Sequence, residues 1–327
     1  MSARWKHRPD GSNWGDFGPD DRLGRLNLVT PERRRAALAE AREGIVFCLS
    51  LPLDLGPGLN PRRKPPRLAA VEREDRPNYN YPFAEEFPGL TDVVCDDWAA
   101  LHLQYSTQWD SFCHIGSLFD ADGDGVPEIV YYNGFPAPSR VGDTALGLEH
   151  MAATGVQGRG VMVDLRRHLG DAKALVGYDA LMRVLEQDRV TVEAGDLVCL
   201  HTGFGQRVLE MGRDPDVAVL RETSCALDGG DPRLLQWITE SGLAALIADN
   251  YAVEERPGKP APGYRGALLP LHEHCLFKLG IHLGELWHLT PLAKWLHARG
   301  RYRFLLTAPP LRLPGAVGSP ATPVATV

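Results

Sequence analysis

From Gly160 onward the chain alternates short apolar runs with amphipathic stretches, and no other feature restricts its fold so tightly. Residues 161–165 (VMVDL) read as a strand, 177–188 as a helix with one apolar face, and 196–203 as a second strand ending at Gly203. Residues 232–242 then predict a helix and 243–250 a buried strand. Repeated strand and helix units of this kind predict an α/β layered domain, because each element must bury its apolar face against the next layer. Helices are further expected over 272–279 and 289–299, ahead of a strand-like run at 302–308.

A chain of 327 residues has room for one large domain or two, but no clean linker and no internal repeat divides it. One structural domain is therefore expected, with residues 1–90 as an amino-terminal arm and loop packing on a core formed by 91–327. Within the arm, Thr30 followed by Pro31 and Glu32 predicts a helix of about ten residues that stops near Gly44. Residues 55–82 are dense in Pro, Arg and Asn without periodicity, which predicts a long loop serving as a lid or an intersubunit arm.

Charge and composition narrow the partners. The formal charge is -7 and the basic residues are scattered among acids, so there is no footprint for nucleic acid or anionic lipid. No apolar run approaches the roughly 20 residues a membrane span needs, and the opening 21 residues lack the apolar core of a secretory signal. A cytoplasmic location is expected. The six cysteines are dispersed and form no CxxC pair, which suits reduced, mostly buried thiols.

Two segments concentrate polar chemistry. In LHLQYSTQWDSFCHIG, residues 101–116, Gln104, Gln108, Asp110 and His114 fall at even positions and would share one face of an extended strand. Two amides, a carboxylate and an imidazole are costly to bury unless they bind one another, a metal, water or a substrate. A solvent-facing strand edge is the simpler alternative. In LHEHCLFKLGIHLGELWHL, residues 271–289, His272 and Glu285 can meet only if the helix ends near Gly280 and the chain turns back. His282 and His288 are expected at the surface, and His274 is left open as an alternative to His272. A third feature, Asp120, Asp122 and Asp124, begins like a calcium loop, but its twelfth position is Tyr131, and an Asp/Gly turn suffices. No dinucleotide fingerprint, phosphate loop or GxSxG elbow is present.

On these residues the chain resembles the cyclase family of metal-dependent hydrolases, which includes bacterial kynurenine formamidase and isatin hydrolase. The family motif H-x-G-T-H-x-D-x-x-x-H corresponds here to Gln104-Tyr-Ser-Thr107-Gln108-Trp-Asp110-Ser-Phe-Cys-His114, and the distal signature to His272 through Gly280 to Glu285. Similarity extends over NWGDFGPDDRLGRLN, GDLVCLHTGFG, ADNYAVE and APPLRLPGAVGSP. The resemblance implies a swivelling β/β/α fold assembled as a homodimer or homotetramer. It also implies a zinc or manganese ion on Asp110, His272 and Glu285, with His114 as ligand or proton relay. Gln104 and Gln108 stand where the family has histidines, and a neutral amide oxygen is a weaker ligand than imidazole, so metal binding should be weakened. His102, on the same predicted strand face, is a substitute ligand.

The expected activity is hydrolysis of a C–N or C–O bond in a small amide, lactam or lactone by metal-activated water, with His114, Glu285 and Asp110 as catalytic groups. Trp109, Phe112 and Tyr105 are candidates to line an aromatic pocket, or core residues if they face the other way. Asp249 and Glu254 are further candidates around the substrate. Two alternatives use the same residues: a metal-independent acid/base enzyme, and a non-catalytic small-molecule binding protein.

Overall fold

Nine strands form the main sheet: β1 (Val46–Cys48), β2 (Gln108–Asp110), β3 (Gln157–Asp164), β4 (Leu197–His201), β5 (Ala245–Ala248), β6 (His282–Glu285), β7 (Arg303–Thr307), β8 (Gly318–Pro320) and β9 (Val324–Thr326). The computed structural model describes residues 4–255 and 262–327, so the first three residues of the opening segment lie outside it. The spatial order is β1-β9-β7-β3-β4-β5-β6-β2-β8, curled into a half-barrel. β3, β4, β5 and β6 run parallel, and the remaining pairs are antiparallel.

Both faces of the parallel centre are covered, which is why its strands read as unbroken apolar runs. Val161, Val163, Val198, Leu200, Leu246 and Leu283 point to one side, where helices Tyr178–Asp188 and Pro232–Ser241 bury Leu181, Val184, Leu234 and Ile238. Met162, Cys199 and Ile247 point to the other, against helix Thr290–His297 through Leu292 and Leu296. The predicted strand and helix alternation is found in this order, in an α/β layered fold.

Elsewhere the expectations need correction. The first helix is eight residues, Pro31–Leu38, shorter than predicted, although Thr30 does cap it by accepting from the Arg33 N–H. Part of the predicted long loop is a β ribbon: Arg67–Ala70 pairs with Asp97–Ala100, and Tyr79–Pro82 with Val93–Cys95. Pairing partners so far along the chain leave no local periodicity to read. The predicted helix over 272–279 is a short turn, Pro270–His272, followed by a π-helical turn, Glu273–Lys278. The Trp-rich start is core: Trp14 is buried edge-on against Phe277 and donates its indole N–H to the Phe277 carbonyl. Cys48 and Cys95 are exposed, and the other four cysteines are buried. Among the described residues, no helix is long and apolar enough to cross a membrane.

The turn-back at Gly280 is real and tightly built. Gly280 has φ +56°, and its carbonyl accepts from the Arg25 N–H at 2.8 Å. A Cβ on Gly24, itself at φ +54°, would fall 2.0 Å from that carbonyl oxygen. Gly24→Ala is therefore expected to cost about 3 kcal/mol through strain and overlap, read as a drop in thermal midpoint. An unchanged midpoint would mean that this contact is not tight.

Candidate active site

Sheet register assembles the first part of the site. β2 pairs with β6 so that Gln108 lies opposite Glu285 and Asp110 opposite Leu283. Side chains alternate across a strand, so Gln108, Asp110 and Glu285 face one side and Trp109 the other. Glu285 closes β6, at the carboxyl end of the parallel strands, where open α/β sheets place their ligands.

His272 closes the short turn Pro270–His272, immediately before the π-helical turn Glu273–Lys278. Its Nε2 is 3.2 Å from Glu285 Oε1, and its Nδ1 is 2.7 Å from Glu254 Oε1. Glu254 also accepts from the backbone N–H groups of His272 at 2.9 Å and Leu271 at 3.1 Å. Asp110, His272 and Glu285 offer ligand atoms that all lie within 4.8 Å of one another. The backbone around them is strained: Ala252, Val253 and Leu286 all have positive φ, at +79°, +57° and +58°. Each such position costs on the order of 1–3 kcal/mol, and strain of this kind clusters where a side chain must be aimed.

Charge is finely divided among these buried groups. Burial alone would lower the His272 pKa, but its hydrogen bonds to the accepting carboxylates of Glu254 and Glu285 outweigh it and raise it to about 10. For Glu285, burial pushes the carboxyl up, and the hydrogen bond and charge of His272 reverse this and hold it low. Asp110 lacks such a partner. Burial raises it to about 6 against the pull of His114. Glu285 is thus the firm anion of the pair, and Asp110 is the one that takes a proton first.

The other predicted residues are placed as follows. His114 is not in a strand: a turn after β2 folds it back so that its Nε2 is 4.0 Å from Asp110 Oδ1, with a fifth of the side chain exposed. Gln104 also lies in a turn, with its side chain against Gly318, so the single extended face predicted for 104–114 is limited to Gln108–Asp110. Trp109 and Phe112 are fully buried and line no accessible wall. Trp109 packs edge-on against Trp287, and Phe112 stacks on His282 at 4.0 Å. Tyr105 is half-buried against Gly56. Asp249 does not face the triad, because both its oxygens are occupied by the Thr202 hydroxyl and N–H and the Gly203 N–H.

His102 is exposed and bonded to the Lys64 backbone, so it replaces no ligand. His274 bonds Thr239 at 2.9 Å outside the site. His282 is buried, contrary to expectation, with Nδ1 2.9 Å from the Asp110 carbonyl oxygen. His288 is half-buried on Gln206. Asp120 binds the N–H groups of Gly123, Asp124 and Gly125 in a hairpin turn, without the helices of a calcium loop. Sequence reasoning had no signal for Arg63, which donates to the Gln104 carbonyl at 2.9 Å.

The donor set fits a divalent cation. Asp110 Oδ2 is buried with no hydrogen-bond partner, an expensive state unless something positive sits beside it. A histidine whose Nδ1 is fixed by a carboxylate, leaving Nε2 facing other acidic ligands, is the usual arrangement around a bound metal. Gln108 complicates the picture: its Nε2 donates to Glu285 at 3.1 Å and lies 3.4 Å from Asp110. Only after a half-turn of the amide would its oxygen reach a cation.

Comparison with known proteins gives the family and the fold. A family model described as "Putative cyclase" matches residues 49–255. A solved structure described as a novel cyclase is 32% identical, with a TM-score of 0.76 over 97% of each chain. Isatin hydrolase A from Labrenzia aggregata, solved with benzyl benzoate, is 14% identical, with a TM-score of 0.57 over 86% of this chain and 93% of its own. An isatin hydrolase bound to the product analogue thioisatinate is 15% identical, with a TM-score of 0.56 over 91% and 99%. At such identity the last two share the fold alone. No curated protein matches the chain.

Proposed function

The chain belongs to the cyclase family, and from that premise we propose that it hydrolyses a small amide, lactam or lactone at the Asp110–His272–Glu285 site. The observation that carries this reading is the buried triad backed by Glu254, an arrangement that orients one imidazole and two carboxylates on a single point. A divalent cation, manganese or zinc, held by these three residues would supply Lewis-acid polarisation of the scissile carbonyl and an acidified water. The chain's own groups do the rest. Glu254 fixes the imidazole with Nε2 toward the site, Asp110 and Glu285 balance charge, and His114 moves a proton between the site and solvent.

Elemental analysis of the purified protein, joined to an activity screen over N-formyl aryl amines, lactams and lactones, tests the proposal. Hydrolysis that chelation abolishes and manganese or zinc restores is expected. Activity indifferent to chelation would favour metal-free acid/base chemistry, the second reading. The Gln108 amide, donating between the two carboxylates, is the observation on its side. Binding without turnover on the same scaffold would leave the site but remove the hydrolase.

Gln108→His is expected to tighten zinc binding by roughly tenfold, as imidazole replaces an amide beside Asp110 and Glu285. Calorimetry showing unchanged or weaker zinc binding would place position 108 outside the coordination sphere. Assembly as a homodimer or homotetramer is part of the same reading. It is supported by the apolar side chains Leu68, Tyr79, Val93 and Trp98 that the β ribbon leaves exposed.

A further inference from the structure

We propose that Thr107 is a positioning residue: its hydroxyl holds the backbone immediately after Glu285 and so keeps the Glu285 carboxylate aimed at His272. This rests on the site reading above, and extends it to the group that sets its geometry. Thr107 is fully buried and stands one residue before Gln108. Leu286 stands one residue after Glu285, the partner of Gln108 across the sheet. The ladder between β2 and β6 ends at that pair. Where a further backbone bond would carry the sheet on, Leu286 turns away with φ +58°. The Thr107 hydroxyl donates to the Leu286 carbonyl at 2.6 Å instead.

A leucine in the left-handed region is strained and keeps that conformation only where its surroundings hold it. Two bonds do so here. The Leu286 N–H donates to the Asn250 carbonyl at 3.1 Å, and the Leu286 carbonyl accepts from Thr107. Without the second bond, Leu286 can relax toward the ordinary extended region, and the turn that ends β6 opens directly beside Glu285. Thr107 is itself fixed from two other directions. Its carbonyl accepts from the Ala321 N–H at 3.2 Å, and its hydroxyl oxygen accepts from the Leu51 N–H at 2.9 Å. The hydroxyl therefore has one proton and one direction in which to give it. A valine would fill the same volume but leave both the Leu286 carbonyl and the Leu51 N–H without a partner.

Three variants separate aiming from packing. Thr107→Val keeps the shape and loses the hydroxyl, Thr107→Ser keeps the hydroxyl and loses the methyl group, and Thr107→Ala loses both. Zinc affinity of the chelator-treated, full-length protein is read by competition with a zinc-sensitive dye, beside the thermal midpoint. Affinity should fall by roughly tenfold or more in Thr107→Val and Thr107→Ala and stay near the parent's in Thr107→Ser, following the hydroxyl whatever the order of the midpoints. Affinity unchanged in Thr107→Val, or lowered equally in Thr107→Ser, would overturn the assignment. If Thr107→Val is not recovered folded, Thr107→Ser and Thr107→Ala differ only in the hydroxyl and make the same comparison. In crystals of the metal-free protein, Thr107→Val should withdraw the Glu285 carboxylate from its 3.2 Å contact with His272 Nε2. A carboxylate that stays in place there would also overturn it. A parent that takes up no zinc would fail the site reading separately, because the position of the carboxylate in those crystals still decides whether Thr107 aims Glu285.

Discussion

Glu285→Gln is expected to lower turnover by about a thousandfold or more while leaving the thermal midpoint near the parent's. Gln keeps the shape of Glu, and its amide oxygen can still accept from His272 Nε2, which lies 3.2 Å from Glu285 Oε1 in the parent. What disappears is the charge that His272 holds in its ionised form and that a cation at the triad would require. Stability changes little, because losing the pair with His272 is countered by relief of the repulsion between Glu285 and Asp110. Turnover and thermal midpoint are measured together, with metal content on the same samples. A parent-like rate with a collapsed midpoint would assign Glu285 to the scaffold and remove it from the chemistry.

Glu254→Gln should cost about 10–100-fold in metal affinity, the usual effect of removing a carboxylate that orients a ligating imidazole. Glu254 touches neither Asp110 nor Glu285 in the hydrogen-bond network. It acts by holding His272 Nδ1 and two backbone N–H groups. A competition titration with a zinc-sensitive dye gives the affinity. In chelator-treated protein the same variant has a pH signature. His272 is raised to about 10 in the folded state, so its contribution to stability is complete below the ordinary histidine pKa of about 6.5 and is lost as pH rises toward 10. The stability gap between parent and Glu254→Gln should therefore be widest in mildly acidic buffer and narrow in alkaline buffer. Chemical denaturation across that range checks it, and a gap independent of pH would mean that His272 is not charged between its two carboxylates.

The two acids and the amide on β2 and β6 were within reach of sequence reasoning, but their surroundings were not. Asp110 and Gln108 share a face because two residues apart in a strand always do, and the apolar flanks of 101–116 mark that face as buried. The same rule, applied four residues further each way, misplaced Gln104 and His114. Turns on both sides of the three-residue strand depend on contacts with Gly318 and with the Ser111 carbonyl, which no local pattern records.

By its own local chemistry the sequence determined the layered centre. Apolar runs such as 197–201 and amphipathic ones such as 178–188 carry their burial preference in residue types and spacing, independent of what they pack against. It also determined the family, through a motif whose residues are neighbours in the chain. Only the tertiary structure decided that His272 stands between Glu254 and Glu285, and that the 67–100 segment is a ribbon. Each of these rests on partners far along the chain, or on a strained backbone such as Ala252–Val253 that only surrounding structure can hold. Pairing energies of that kind belong to no single segment, so they become visible only when the segments have met.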